Sequence, residues 1–571
     1  MNKSVILSQK TYFWCKILYF SKNKEHFIKN KLKKGKKNMK TQTLLKLIVA
    51  LVVITMVSST FMSCGLLGRL FGGEETESES SSEDVVDTQK DSDVNSDSEE
   101  NSGDESVSDL ETEELRLDKD GYLMDDIPEG LTFSGAEIRV LGWKDTICTE
   151  FNVTETSSNA INNSIYLRER NLKKRFGITL NYTFENGGAK KVNNFKEKVA
   201  LAIQSGGTDT YDIIASYTRS TAVCATAGYL LNLGDIQTES YLDLSKPWWS
   251  EGLIDATETI DGKIYFATGD ASTSLAQMTY CVYFNADSVE AVGEESPYVL
   301  VNNNEWTLEK MLNMSKGNRV DLGESGKDLA DEGLGVIGTY FDWPALLHGA
   351  GVGYVTRDVT GEFVLDSNLK GNGSTIMQIL TDHTTTSGDS YVHPRNVSGS
   401  PVSTFKEGRA MFIIAESGLA ISELSEVSDF EYGCVPCPKY DAGQETYYSA
   451  VRQPITLFGI LSNIKEDRIP MVTAVLEGWG SQGYRVTTPA IFTKAMQGQS
   501  ASSNHMKDML KLIRDTAWFD CGRIYAVETN YICDAPGDAL SGKFTWDGYV
   551  SQDLPYIEET LLPLLSSILN G

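Results

Sequence analysis

The sequence predicts an α/β fold with parallel strands, arranged in two lobes, for its long globular region at residues 132–571. Segments with strand and helix periodicity alternate from residue 137 to residue 216, and this alternation implies parallel strands joined by helical crossovers. The region is about 440 residues long, which exceeds what one hydrophobic core usually supports. These two observations favour two α/β lobes over a single one.

The first five elements follow from apolar spacing and stop signals. In order, they are a strand at 137–143, a helix with Ile161, Ile165, Leu172 and Phe176 on one face that ends at Gly177, a strand at 178–184, a helix at 195–204 and a strand at 211–216. Further along, residues 259–265 have a hairpin-like pattern with Asp261 and Gly262 as the turn.

Ligands of open parallel sheets bind in a crevice beyond the carboxyl ends of the strands. By that rule, the side chains that follow the first and third strands point toward a binding site. These side chains are Trp143, Lys144, Ser216, Tyr217 and Thr218.

Short motifs follow in a fixed order over nearly all of residues 132–571. They are YDI at 211–213, GYLLNL at 228–233, SKPWW at 245–249, TIDGKIYFA at 259–267, TYCVYFN at 279–285, EWTL at 305–308, FKEGRAM at 405–411 and YGCVPCPKYD at 432–441. In this order they resemble the extracellular solute-binding proteins of family 1, the receptors of carbohydrate ABC importers.

The resemblance implies a periplasmic-binding-protein-like fold of type II. Its two lobes would be joined by crossing segments and would close on a ligand between them. The N-lobe is expected over about 132–282 and 452–500, and the C-lobe over about 283–451 and 501–571.

A sugar site needs flat aromatic platforms for apolar CH faces and polar groups for hydroxyl edges. The candidates are Trp143, Trp248, Trp249 and Trp343 as platforms, with Tyr217, Asp270, Glu416 and Arg452 beside them. Each tryptophan has a buried core position as its alternative, and one of the Trp248–Trp249 pair is expected to face the core. For Asp270 and Glu416 the alternative is a solvated turn or ion pair, and for Arg452 a hinge or interlobe ion pair.

Lys40 and Lys46, the apolar run at 47–57 and the segment FMSCG at 61–65 together resemble a bacterial lipoprotein signal. Residues 1–38 are expected to come from a mis-assigned start, with Met39 as the true start and residues 39–63 as the signal peptide. Cys64 would then be lipidated and become the mature terminus. The apolar run at 47–57 is shorter than a membrane span needs. The alternatives are a real basic extension before Met39 and an uncleaved anchor helix before a buried Cys64.

Residues 64–118 are predicted to be an acidic, Ser-rich disordered tether. Between Glu74 and Glu114 the sequence has 18 acidic residues against Lys90 alone, and almost no large apolar residues. The whole chain has a net charge of −28, and residues 1–63 carry 13 lysines and one glutamate, or +12, which leaves −40 for the mature chain. This charge argues against nucleic-acid partners.

Catalytic and metal-binding motifs find little support in this sequence. His348, His383, His393 and His505 have neither metal-ligand nor triad spacing, and no Gly-rich phosphate loop is present. Cys434 and Cys437 have CxxC spacing without a second pair, so a zinc or redox site is disfavoured. Whether Cys521 and Cys533 pair stays open.

The sequence therefore predicts a non-enzymatic, monomeric solute-binding lipoprotein without cofactor or metal. It would sit on the extracellular face of the cytoplasmic membrane of a Gram-positive type bacterium, bind a sugar or oligosaccharide, and deliver it to ABC permease subunits. The alternatives are a surface glycoside hydrolase, which needs only two carboxylates, and a ligand-sensing lipoprotein without an importer.

Overall fold

The structure is a computed structural model, and it describes residues 116–204, 211–318, 320–321, 332–386, 388–393, 400–495 and 503–570. These residues belong to the compact unit Leu110–Gly571. The predicted start extension, signal peptide, lipidated Cys64 and nearly all of the tether lie outside the described residues. Among the residues described, no helix has the length and apolar character needed to cross a membrane.

The strands are numbered in chain order. They are β1 (Glu137–Trp143), β2 (Thr179–Glu185), β3 (Ile213–Tyr217), β4 (Tyr280–Asn285), β5 (Val320–Asp321), β6 (Glu332–Thr339), β7 (Val355–Arg357), β8 (Phe363–Leu365), β9 (Tyr391–His393), β10 (Ala410–Glu416), β11 (Tyr432–Val435), β12 (Ser449–Ala450), β13 (Thr456–Ile460) and β14 (Ala517–Trp518).

The α-helices are numbered in the same way. They are α1 (Ala160–Phe176), α2 (Val192–Gln204), α3 (Thr218–Thr226), α4 (Glu251–Thr257), α5 (Ala286–Ala291), α6 (Pro297–Asn302), α7 (Leu308–Met314), α8 (Ala345–Gly349), α9 (Asn372–Thr381), α10 (Pro401–Lys406), α11 (Leu419–Ser422), α12 (Ile469–Gln482), α13 (Thr488–Ala495), α14 (Ser503–Asp515), α15 (Cys521–Ile524), α16 (Ala535–Leu540), α17 (Trp546–Gln552), α18 (Leu554–Tyr556) and α19 (Leu562–Asn570).

The first sheet has the strand order β13-β3-β1-β2. Strand β1 runs parallel to β2 and to β3, as the alternation of elements predicted. Strand β13 comes from far along the chain and pairs antiparallel with β3, so that Thr456 lies opposite Tyr217. The carboxyl ends of β1 and β3 therefore share one sheet edge with the amino end of β13.

The second sheet has the order β11-β4-β10-β6-β5, with β9 also paired to β6. Strand β10 is parallel to β6 and antiparallel to β4, and Glu416 lies opposite Tyr280. The carboxyl ends of β6 and β10 thus share an edge with the amino end of β4. Two α/β sheets in one chain confirm the predicted two-lobed α/β fold.

In the described part of the chain, two crossing segments lead directly from one sheet to the other, one at residues 270–279 and the other at 451–455. They lie side by side, because Thr279 forms an antiparallel bridge with Val451 and the Arg452 amide donates to the Met278 carbonyl at 2.8 Å. The first segment reaches the second sheet before Tyr280, so the boundary expected near residue 282 falls inside β4. After β13 and α12 the chain returns to the second sheet, since α14 packs against β11. The carboxyl-terminal segment contacts both lobes, since α15 packs against α3 and β14 pairs with β12.

Candidate functional site

The ligand-binding candidate is the interlobe cleft, which we define by the segments that meet at the crossing segments. They are the ends of β1 and β3 with the residues that follow them, the turn at 340–343 after β6, residues 416–417, the crossing segment 451–455 and the loop 530–534. Strand ends of both sheets come together here, so the cleft meets the geometric rule for ligand sites of α/β folds.

Arg452 lies at the centre of the cleft and forms an ion pair with Glu416. The side chains of Arg452 and Glu416 are 27% and 18% exposed, so solvent reaches both partners. Burial opposes the charge on Arg452, but Tyr280, Glu416 and Asp342 raise its pKa overall. The interlobe ion pair expected as the alternative role of Arg452 is therefore present, and it joins two of the predicted site residues to each other.

Asp342 adds a second carboxyl group beside this pair. Its Oδ2 accepts hydrogen bonds from the Thr339 amide at 2.7 Å and the Thr339 hydroxyl at 2.6 Å. Burial raises the pKa of Asp342 to about 7, and the negative charge of Glu416 acts in the same direction. The fold therefore favours the neutral form of this carboxyl group more than water does.

Trp143 and Tyr217 form the base of the cleft on the first lobe. Their ring centroids are 5.5 Å apart, and the Trp143 indole donates to the Thr456 hydroxyl at 2.9 Å. Both side chains are almost fully buried, at 2% and 4% exposure. They support the cleft edge from beneath and offer little ring surface to a ligand in this conformation.

Arg219, which follows Thr218 on α3, connects the first lobe to the carboxyl-terminal loop at 530–534. Its Nη2 lies 3.2 Å from Asp534 Oδ1, and its guanidinium carbon lies 5.2 Å from the Tyr531 ring centroid. Gln453 Nε2, on the crossing segment, lies 3.0 Å from Cys533 Sγ. The loop is thereby fastened to both the first lobe and the crossing segment.

Two aromatic side chains at this edge are exposed. Phe341 is 37% exposed, stands 3.9 Å from Tyr340 by ring centroids, and lies 5.9 Å from the Arg452 guanidinium carbon. Tyr531 is 41% exposed. Neither residue is predicted from the sequence, because no local pattern distinguishes an aromatic side chain that the fold leaves exposed.

No family model matches the chain, and no curated protein sequence matches it. Solved structures of similar fold do match. A cyclo/maltodextrin-binding protein complexed with maltotetraose has a TM-score of 0.48 and 13% identity over 74% of this chain and 96% of that chain. The galacto-N-biose-/lacto-N-biose I-binding protein of the ABC transporter from Bifidobacterium longum has a TM-score of 0.48 and 12% identity over 77% and 98%. UgpB from Mycobacterium tuberculosis in complex with glycerophosphocholine has a TM-score of 0.44 and 16% identity over 75% and 98%.

Trp248 and Trp249 lie away from the cleft defined above. Both rings are buried in the first lobe, and both indole N–H groups donate to Glu477, at 3.1 and 2.9 Å. Burial raises the pKa of Glu477 to about 8 despite the Trp249 hydrogen bond. A shared carboxyl acceptor on α12 holds both indole N–H groups, so neither tryptophan reaches the edge around Arg452.

Asp270 also lies away from that edge. Its carboxylate accepts from the Thr488 hydroxyl at 2.6 Å and pairs with Arg514 at 2.7 Å. Burial raises the pKa of Asp270, and the Arg514 charge opposes that rise. Asp270, Trp248, Trp249 and Arg514 line a cavity of about 980 Å³ between α4, the first crossing segment and α14, and this cavity extends to Ser417.

Trp343 is fully buried and donates its indole N–H to the Tyr391 carbonyl at 3.3 Å, so it packs beneath the turn that presents Phe341. Among the described residues, no group of histidine, cysteine and acidic side chains could hold a metal ion. The seven described cysteines are free thiols, Cys521 and Cys533 included.

The cleft thus offers exposed aromatic faces beside charge-paired polar groups. Of the eight predicted ligand-binding residues, the structure brings Trp143, Tyr217, Glu416 and Arg452 to the cleft. Trp343 lies under it, and Trp248, Trp249 and Asp270 line the adjoining cavity that extends to Ser417. Arg219, Phe341, Asp342 and Tyr531 complete the set. A neutral ligand with apolar faces and hydroxyl edges suits this arrangement best.

Proposed function

We propose that residues 132–571 form a receptor domain that binds a neutral sugar or oligosaccharide in the interlobe cleft. The observation that carries this proposal is the exposed Phe341 ring beside the Arg452–Glu416 ion pair, at the edge where strand ends of both sheets meet. Pyranose rings present CH faces that pack on such a ring, while their hydroxyl groups hydrogen-bond to carboxylates and guanidinium groups. Arg452 and Arg219 are paired with Glu416 and Asp534, which favours a ligand without net charge.

The amino-terminal segments extend the proposal to location and delivery. Cys64 would carry the lipid anchor, residues 64–118 would hold the domain away from the membrane, and the loaded receptor would pass its ligand to ABC permease subunits. Support for this part comes from the signal-like sequence, the acidic tether and the family resemblance.

A screen of mono- and oligosaccharides by thermal shift tests the binding proposal. A cognate sugar at a hundredfold excess over Kd should stabilise the native state by about 2.7 kcal/mol. Titration by calorimetry then gives the affinity. If no sugar in a broad panel shifts the melting temperature, carbohydrate is the wrong ligand class.

The anchoring proposal has its own test. Native protein should partition into detergent and begin at an acylated Cys64, and Cys64→Ser should release the protein or stall its processing. Unchanged membrane association and size in that variant would rule out the lipid anchor.

A glycoside hydrolase is the second candidate, because Asp342 and Glu416 are neighbouring carboxyl groups and the pKa of Asp342 is raised to about 7. Paired carboxyl groups in different protonation states are what acid–base cleavage of a glycosidic bond requires. Here both are already engaged, Asp342 by Thr339 and Glu416 by Arg452. Binding therefore accounts better for the cleft, and release of reducing sugar from oligosaccharides would reverse that preference.

A further inference from the structure

The loop at 530–534 contains an unusual backbone conformation. Asn530 and Tyr531 have φ angles of 52° and 58°, in the left-handed region. Asparagine visits that region readily, whereas a bulky side chain there is a genuine outlier. Among the described non-glycine residues with positive φ, Tyr531 is the only aromatic one; the others are Ser134, Asn152, Asn304 and Asn530.

The fold holds this turn from both sides. The Tyr531 amide donates to the Ala526 carbonyl at 2.6 Å, and the Tyr531 carbonyl accepts from the Asp534 amide at 2.9 Å. Strained backbone of this kind persists where the surrounding structure fixes it, and it concentrates at functional sites. The strained conformation of Tyr531 therefore suggests that the position of its side chain has a functional role.

The strained turn sets the Tyr531 ring over Arg219. The guanidinium carbon of Arg219 lies 5.2 Å from the ring centroid, and Asp534 holds the guanidinium from the side at 3.2 Å. Such cation–aromatic packing fixes the orientation of a ring. Tyr531 nevertheless stays 41% exposed, so part of its ring surface is open to solvent.

Arg219 itself keeps one donor unused at this point. Its side chain is 7% exposed, and its Nε has no hydrogen-bond partner within the described part of the chain. A buried N–H without a partner is costly unless a ligand or water accepts from it. An aromatic ring and an unused donor thus meet at one end of the cleft.

The geometry points to Tyr531 as a sugar-stacking residue, held at the edge of the cleft by the left-handed turn Asn530–Tyr531 and braced from behind by Arg219. This inference rests on the proposed function and deepens it, because it assigns a recognition role to one residue of the cleft. The ligand would pack an apolar CH face on the phenol ring, as flat ring surfaces allow.

The test compares Tyr531→Ala, Tyr531→Gly and Tyr556→Ala with the wild type. Tyr556 is the matched control because it is 46% exposed but has an ordinary helical φ of −66°. Each protein is titrated calorimetrically with maltotetraose, cellotetraose, xylotetraose and mannotetraose, and each is melted without ligand.

Tyr531→Ala should weaken binding of the sugar that the wild type prefers by about tenfold or more, as at other hot spots. Tyr556→Ala should bind within about twofold of the wild type, as expected of a surface change away from the site. Tyr531→Gly should lose as much affinity as Tyr531→Ala. It should also melt higher than Tyr531→Ala by roughly 2 °C, because glycine, unlike alanine, adopts this φ without strain. Comparison of Tyr531→Gly with Tyr531→Ala distinguishes the loss of the ring from the effect of backbone strain, even if Tyr531→Ala folds poorly.

Two outcomes overturn the inference in distinguishable ways. If the wild type binds a sugar and Tyr531→Gly binds it equally well, Tyr531 is not a stacking residue, while the proposed function stands. If the wild type binds none of the four tetrasaccharides and none of the broader panel, the proposed function fails and this inference fails with it.

Discussion

Phe341 and Trp248 illustrate two roles that an aromatic side chain has in this protein. Phe341 is exposed at the cleft, whereas Trp248 is fully buried and bonded to Glu477. Phe341→Ala should cost sugar affinity by about 2 kcal/mol with little loss of stability. Trp248→Ala should cost about 3–5 kcal/mol of stability and leave the affinity per folded molecule unchanged.

Melting and titration of the same two variants measure both quantities. An early-melting Phe341→Ala variant with normal affinity would reverse the assignment of Phe341. Equal affinity loss in both variants would place Trp248 near the ligand after all.

The raised pKa of Glu477 predicts that the stability of the protein depends on pH. Burial raises the pKa of Glu477 from the ordinary value of 4.5 to about 8. Between these values the folded protein keeps the proton that the unfolded chain has already released, so stability falls as the pH rises from about 4.5 to 8. Glu477→Gln, which cannot ionise, should lack this contribution, on the order of a few kcal/mol.

The measurement is the melting temperature of both proteins at pH 5 and at pH 8. Wild type should lose more stability over that interval than Glu477→Gln. Because Asp342 and Asp520 also have raised pKa values, of about 7 and 6, only the difference between the two proteins is diagnostic. Parallel pH curves would mean that Glu477 is ionised in the folded protein.

At the scale of elements, the start of the first crossing segment depends on a close backbone approach. A Cβ on Gly269 would lie 1.9 Å from the Trp248 carbonyl oxygen, so Gly269→Ala must push the two chains apart. Overpacking of this kind costs about 1–3 kcal/mol or more. Gly252→Ala is the control, since on helix α4 its Cβ would meet only ordinary contacts, the nearest at 3.4 Å.

Gly252→Ala should stabilise by up to about 1 kcal/mol through helix propensity. Denaturant or thermal unfolding of both variants tests the pair. If Gly269→Ala has the same melting temperature as the wild type, the two backbone segments at the Trp249–Gly269 bridge can move apart at little cost in stability.

Local patterns predicted the regular elements well. Strand β1 occupies the predicted residues, and α1 ends at Phe176 with Gly177 in the left-handed conformation, as its stop signal indicated. The turn at 259–265 closes through the Gly262 amide and the Thr259 carbonyl at 2.9 Å, but no hairpin ladder follows. Instead, Ala267 pairs with Phe458 of β13, a partner almost two hundred residues away that no local pattern reveals.

The candidate site was only partly predictable for the same physical reason. The rule about strand ends located Trp143, Tyr217 and Glu416, because it depends on topology. Exposure of Phe341 and the left-handed φ of Tyr531 are set by tertiary packing, so sequence gave no sign of them. The positions of Trp248 and Trp249 could not be predicted from local sequence, because their acceptor, Glu477, lies on a distant helix.

For the molecule as a whole, we expect ligand binding to bring the two lobes closer together. The lobes meet at two adjacent crossing segments, and the cleft lies beside them. Small-angle scattering with a cognate sugar should give a smaller radius of gyration than without it. An unchanged radius together with a clear thermal shift would mean that the cleft binds without lobe closure.

The late position of β13 bears on how this chain assembles itself. Strand β3 ends at Tyr217, yet its antiparallel partner begins only at Thr456, after every strand of the second sheet has been laid down. A chain that emerges amino end first therefore carries an open strand edge from the synthesis of Tyr217 until that of Thr456. Open edges invite pairing with other chains, and long-range pairings form slowly. The first lobe is thus begun early and completed late, and in that interval the open edge of β3 is available for pairing with another chain.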